Sequence, residues 1–122
     1  MKCLLITRIN DKKIPYAKLV ISGKKKWDIR KTNTSIRGRI GILFGDTILG
    51  TVVLSDVKGP MSAKKLAEYT EHLSTYERMN NYSKGKKLYA WVLKNPVKFK
   101  KPIKINKKYV NGNLVDIKNN DL

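Results

Sequence analysis

The segment Gly23-Lys24-Lys25-Lys26-Trp27-Asp28-Ile29-Arg30 gathers the side chains best suited to chemistry in this chain. Set in a partly buried groove, the Lys25 amine would be a charged donor for a phosphate or a base carbonyl. Desolvation, with Lys24, Lys26 and Arg30 close by, would lower its pKa and make it a base or a nucleophile. As one exposed lysine among many it would do neither. Asp28 and Arg30 stand two apart, so on a strand they share a face and can pair. Such a pair serves either as an ion pair framing a cleft or as a direct ligand contact. Gly23 suits a sharp exit from a helix, where the backbone takes φ > 0.

Other residues extend the set. Trp27, Tyr76, Tyr82 and Trp91 are interleaved with basic residues, the mixture that stacks bases while charge holds a phosphate backbone. Trp91 lies in an apolar run and Trp27 on the apolar side of its strand, so both are assigned to the core. Tyr76 and Tyr82, in a polar segment, are the candidates for a cleft rim. Lys24, Lys25, Lys26, Arg30, Arg37 and Arg39 are the candidates to hold nucleic acid. The stretch from Lys94 to Lys108 reads either as a phosphate track or as a solvated edge whose lysines block strand pairing. His72 is the only histidine and has no second ligand at a recognisable spacing. It is expected to be a solvated helix residue, with no metal bound. Cys3, the only cysteine, heads an apolar strand and is expected to be an inert buried thiol. Alone, it forms no intrachain disulfide and builds no cysteine-based zinc site. Gly23-Lys24-Lys25 lacks the earlier glycine of a phosphate-binding loop, and no cofactor is expected.

These residues need elements to position them. Lys2 to Ile9 reads as a first strand. Asn10-Asp11 offers a helix cap, and Ile14, Ala17, Val20 and Ile21 recur at helical spacing up to a stop at Gly23. Trp27 to Arg30 alternates like a half-buried strand. Arg37-Gly38-Arg39 marks a turn into a strand over Ile40 to Phe44, and Gly45-Asp46 is a hairpin turn into Ile48 to Val57. Gly59-Pro60 breaks the chain. Ser62 caps a helical stretch through Leu66 and Tyr69, and a second short helix runs over Leu73 to Met79. Asn80 to Gly85 reads as a loop. Tyr89 to Leu93 is a core strand ended by Asn95-Pro96, and the remainder of the chain is strand-poor. Many short strands with two helical insertions predict a small α+β barrel.

Composition bounds the rest. With 122 residues and 41% of them apolar, one modest core is expected. This predicts a single domain over 1–117 with a polar tail over 118–122. Lys and Arg total 27 against 9 acids, a net charge of +18. A field this strong favours polyanions. No run approaches the ~20 apolar residues of a membrane span, and the first apolar run is too short for a signal peptide. A cytoplasmic protein with no membrane partner is therefore expected, with protein partners left open.

The segment Gly23 to Arg30 resembles the G-x-K-x-x-E-x-R signature of the ASCH superfamily, with Asp28 at the Glu position. Its surroundings match the family's order of elements. Ile36-Arg37-Gly38-Arg39-Ile40-Gly41-Ile42 resembles the family's turn and third strand. Ile48-Leu49-Gly50-Thr51-Val52 is similar to the strand that comes next, Tyr89 to Pro96 to the late strand, and Lys101-Pro102-Ile103 to the exit segment. The resemblance implies a PUA-like barrel, flanked by short helices, with a cleft beside the signature. It also implies RNA or other single-stranded nucleic acid as the partner. One bacterial subgroup hydrolyses N(4)-acetylcytidine and at least one relative cleaves RNA, so the fold alone does not settle the activity.

In that amidohydrolase subgroup a catalytic threonine stands where this chain has Asp28, and a glutamate comes from the later helical region. Glu68, Glu71 and Glu77 are available for the glutamate, and Glu71 and Glu77, near the middle of the insertion, are the candidates. A carboxylate at Asp28 cannot donate a hydroxyl proton and would repel phosphate. Two main readings stand: an RNA-binding module, and a hydrolase using Lys25, Asp28, Glu71 and Glu77. A third is an adaptor docking on a ribonucleoprotein. The charge favours polymer binding, since a free nucleoside needs no such field.

Overall fold

A computed structural model describes residues 1–118; the expected polar tail lies outside the described residues apart from Lys118. The first strand, β1 (Lys2–Leu5), is followed by α1 (Tyr16–Ile21), β2 (Trp27–Arg30), β3 (Gly38–Phe44) and β4 (Thr47–Met61). Two short helices, α2 (Ala63–Leu66) and α3 (Tyr76–Ser83), lead to β5 (Leu88–Lys104) and β6 (Leu114–Asp116). All strands belong to one sheet in the order β2-β5-β4-β3-β1-β6, parallel only between β1 and β3. Four register shifts along the β4–β5 ladder bend these two long strands and curl the sheet into a half-barrel. The α+β class expected from the strand-rich pattern is the one found.

Both faces of the curled sheet are covered, which explains the nearly unbroken apolar run Leu88–Leu93. Trp91 and Leu93 point to the core beneath α1, with Leu4, Val20, Ile42 and Leu54. Ala90 and Val92 point the other way, to Trp27, Leu66 and Met79 under α2 and α3. A third cluster joins Cys3, Leu43 and Ile48 to Ile105 and Ile117. Both tryptophans and Cys3 are buried, as their sequence settings predict.

Several local expectations are corrected. The helix begins at Tyr16, because the Asn10 carboxamide instead accepts from Ile14 N at 2.9 Å and closes a turn. Gly59-Pro60 does not break the chain; β4 runs through it, its register with β5 shifting between Lys58 and Met61. Likewise Asn95-Pro96 does not end β5. Asn95 takes φ 49° at a bulge opposite the Thr51/Val53 shift, and the strand resumes at Val97. Helix α2 is a single turn capped by Ser62 Oγ, which accepts from Lys65 N at 3.1 Å. Helix α3 is capped by Thr75 and takes in Asn80–Ser83, expected as loop; Met79 and Ser83 supply its buried stripe. Beyond Leu93, whose N donates to Lys26 O at 2.9 Å, β5 has no strand partner on its second side among the described residues, so its exposed Lys98, Lys100, Lys101 and Lys104 lie on a free sheet edge. Among the described residues no helix is long and apolar enough to cross a membrane.

Candidate functional site

Gly23 ends α1 at φ 83° and turns the chain so that the next residues enter the molecule. Lys25 N donates to Leu19 O, and Lys26 N and Trp27 N both donate to Glu71 O. These bonds aim the Lys25 side chain inward, where only 2% of the residue is exposed. Its ammonium donates to the backbone carbonyl of His72 and sits 4.2 Å from the centre of the Tyr16 ring. Burial pulls the amine down to about 8, Arg30 pulling the same way and Asp28 opposing.

Asp28 and Arg30 form the ion pair that their spacing predicts, Nε to Oδ2 at 2.5 Å. The rest of the guanidinium does something the sequence did not reveal. It donates to Leu5 O at 2.6 Å and to Asn113 Oδ1 at 2.9 Å. β2 is one margin of the sheet; Leu5 ends β1, next to the other margin, and Asn113 directly precedes β6 at that margin, so Arg30 clasps the curled sheet shut. Such use of the planar fork is beyond a lysine.

At this closure lies a cleft of about 100 Å³. Lys25, Asp28 and Tyr16 contribute to its lining, with Ile6, Ile29 and Met79 among its apolar members and Arg8, Arg78 and Tyr82 among its polar and aromatic ones. Arg8 and Lys31 both approach the Tyr82 ring, at 4.1 and 4.7 Å from its centre. Arg78 ties α3 across to the other side, donating to Asp11 and to Ile9 O. The Tyr16 hydroxyl is buried and makes no hydrogen bond of good geometry among the described residues, although the Arg78 guanidinium lies close enough to interact with it. A buried polar group left in this state invites a ligand or water to complete it.

The family model for the ASCH domain matches residues 13–103. The chain belongs to the ASCH family. Solved ASCH structures from Zymomonas mobilis share its fold. The unsubstituted protein is 20% identical with a TM-score of 0.67, over 84% of this chain and 73% of that one. A serine-to-alanine variant gives a TM-score of 0.72 at 18% identity, over 98% of this chain and 90% of that one. A tyrosine-to-phenylalanine variant gives 0.67 at 21%, over 85% and 76%. No curated protein matches. The PUA-like architecture implied by the signature is thereby the fold of this ASCH domain.

The ASCH signature thus brings Lys25, Asp28 and Arg30 into the cleft, and Tyr82 joins them from α3. Other candidates lie elsewhere. Lys24 and Lys26 are exposed on either side of Lys25, outside the lining. Arg37 folds back onto Thr34 O and Ile36 O, and Arg39 onto Thr51 and Asn95. Tyr76 is exposed at the start of α3. Glu71 accepts from Thr70, Glu77 is exposed, and neither lines the cleft, where Asp28 is the one carboxylate. Arg8, Tyr16 and Arg78 are the cleft residues that sequence reading missed. Arg8 lies three residues beyond β1, which is shorter than the expected Lys2 to Ile9, and Tyr16 sits on the buried face of α1, but only closure of the sheet unites them.

His72 corrects an expectation outright. It is 1% exposed, in the turn between α2 and α3 rather than on a solvated helix. Nδ1 accepts from Ser74 N at 2.9 Å, so Nε2 carries the proton and donates to Leu66 O at 2.7 Å. Burial lowers its pKa and the Lys25 ammonium adds to this, against Leu66 O and Glu71. Among the described residues no three His, Cys, Asp or Glu side chains cluster to hold a metal.

These two groups set a pH dependence. Below the unfolded histidine value of ~6.5 the unfolded chain binds a proton that folded His72 resists, so stability falls with acidity there. Between about 8 and the free lysine value of ~10.4, folded Lys25 has released a proton that the unfolded chain keeps. Stability then rises with pH. Urea titrations from pH 5 to 10.5 should show both legs; Lys25→Met should flatten the alkaline one, and an unchanged alkaline leg would refute the assignment to Lys25.

Proposed function

We propose that this ASCH domain, with residues 1–117 acting as one unit, binds single-stranded RNA and takes one base into the cleft. The observation that carries the reading is the pairing of a buried polar floor with a cationic, aromatic rim. Tyr82 carries Arg8 and Lys31 over its ring, so a base that stacks there displaces a cation, and the two cations meet the phosphates. Lys25 and the Tyr16 hydroxyl line the cleft where the polar edge of a base would end. Asp28 disfavours a phosphate at the floor, so the base points inward and the backbone stays at the rim. The net charge of +18 supplies the long-range attraction that a polymer exploits.

A titration of labelled single-stranded RNA at low and moderate salt tests this. Affinity should fall steeply with salt, log K changing by about −0.7 per log unit for each phosphate neutralised. Lys25→Met should lose more than that single share, on the order of tenfold or more at fixed salt, since a charged buried hydrogen bond contributes about 1.5–3 kcal/mol. Binding that is absent, or indifferent to salt, overturns the reading.

The lowered pKa of Lys25 inside a cavity also favours a second reading, hydrolysis of RNA or of a modified nucleoside with Lys25 as base or nucleophile. With Glu71 and Glu77 outside the cleft, that chemistry would fall to Lys25 and Asp28. RNA that stays intact over a prolonged incubation, and an acetylated cytidine that stays acetylated, would exclude it.

A further inference from the structure

Beside the cleft lies a second hollow of about 470 Å³. Its walls are the Phe44–Thr47 turn between β3 and β4 and the segment Lys108, Tyr109 and Val110. Thr7 lines both hollows, and the chain passes directly from Val110 into Asn111 and Gly112 of the first cleft. The two therefore form one continuous surface. The segment is held in place, with Tyr109 N donating to Gly45 O at 3.1 Å and Ile105 N to Asp46 O at 2.8 Å. Lys107 Nζ lies 5.1 Å from the centre of the Tyr109 ring, the same pairing of cation and aromatic ring as at Tyr82. Asp46, the one carboxylate in this lining, is already engaged by the Thr47 hydroxyl at 2.9 Å and by Lys104 Nζ at 3.9 Å.

We propose that this hollow is the subsite for the nucleotide adjoining the one held in the cleft, which makes the ligand a single-stranded oligonucleotide rather than a free nucleoside. The inference rests on the RNA-binding reading above. Tyr109 and Phe44, each half-buried against the core, offer their remaining ring surface to the second base, with Lys107 moving from the Tyr109 ring to the phosphate. Lys108 and Lys107 meet the phosphate that links the two, as it crosses at Thr7. A free nucleoside would occupy the first cleft and gain nothing from the second.

The test compares a labelled single-stranded RNA hexamer with nucleoside 5′-monophosphates as competitors, on wild type, Lys108→Ala, Tyr109→Ala and Tyr109→Phe. Thermal melting checks that each variant folds. Tyr109→Ala should weaken the hexamer by roughly tenfold, the share of one stacked base, and leave the monophosphates unchanged. Tyr109→Phe keeps the ring and should keep the affinity. Lys108→Ala should reduce the salt slope for the hexamer by about 0.7; it decides alone if Tyr109→Ala does not fold. Hexamer affinity and salt slope equal to wild type, or equal losses for hexamer and monophosphates, overturn the subsite. In that case, hexamer binding that still depends on Lys25 leaves the first cleft standing. A wild type that binds no hexamer removes the RNA-binding reading itself.

Discussion

Replacing Arg30 with methionine should cost about 3–5 kcal/mol of folding stability, the penalty for stripping the partner from a buried ion. Methionine fills a similar volume, so lost packing contributes little. What is lost is the hydrogen-bonded counter-charge of Asp28, whose side chain is 6% exposed and is left with the field of the Lys25 ammonium, and the donors to Leu5 O and Asn113. Against the ~5–15 kcal/mol that small domains hold in reserve, this brings the protein close to unfolding. Arg30→Lys keeps the charge but not the fork, and should recover only part. Adding Asp28→Leu to Arg30→Met removes the stranded carboxylate and should restore stability relative to the single variant. Urea unfolding of the three variants measures this. A loss below about 1 kcal/mol for Arg30→Met would mean that water already serves these groups and that Arg30 clasps nothing.

Gly50→Ala is the second large effect. A Cβ there would lie 2.1 Å from Val97 O and 2.7 Å from Ile21 Cδ1. The isoleucine side chain can rotate aside, but a carbonyl held in a strand ladder cannot. Gly50 pairs with Lys98, just past the register shift that separates it from Ile48, where the two longest strands press together under α1. Overpacking costs ~1–3 kcal/mol when side chains yield. With backbone in the way the cost should reach or pass the top of that range, on the order of 3 kcal/mol, read as a drop in urea midpoint or melting temperature. A variant that melts with wild type would mean that β4 and β5 separate there without cost.

The parts of this fold legible in the sequence were those whose reasons are local. Gly23 closes a helix, Trp27 and Ile29 alternate with Asp28 and Arg30, and Ser62 caps a helix, each within a few residues. The Asp28–Arg30 pair came from strand geometry alone. The misreadings arose where the tertiary structure overrode a local signal. Pro96 looks like the end of a strand, yet a bulge absorbs it and the ladder continues to Lys104. Asn80 and Asn81 look like a loop, yet Met79, Tyr82 and Ser83 give α3 a packing face. Leu114–Asp116 is too short to announce a strand before β1 is there to pair with it. In the cleft, Lys25 stood out through its motif. Arg8, Tyr16 and Arg78 did not, because they come from three separate stretches that meet only when the sheet curls.

The Arg30 clasp has a consequence for when the cleft comes into being. It joins residue 30 to residue 5 and, across 83 residues, to Asn113. Loop-closure entropy must be met before such contacts return anything, which places them late in folding. During synthesis the chain grows from its N-terminus, so Lys25, Asp28 and Tyr16 leave the ribosome well before Asn113 does. A nascent chain thus carries positive charge before it has a finished cleft. On the RNA-binding reading proposed above, diffuse attraction precedes selective recognition, and the two separate in time at the moment β6 docks against β1.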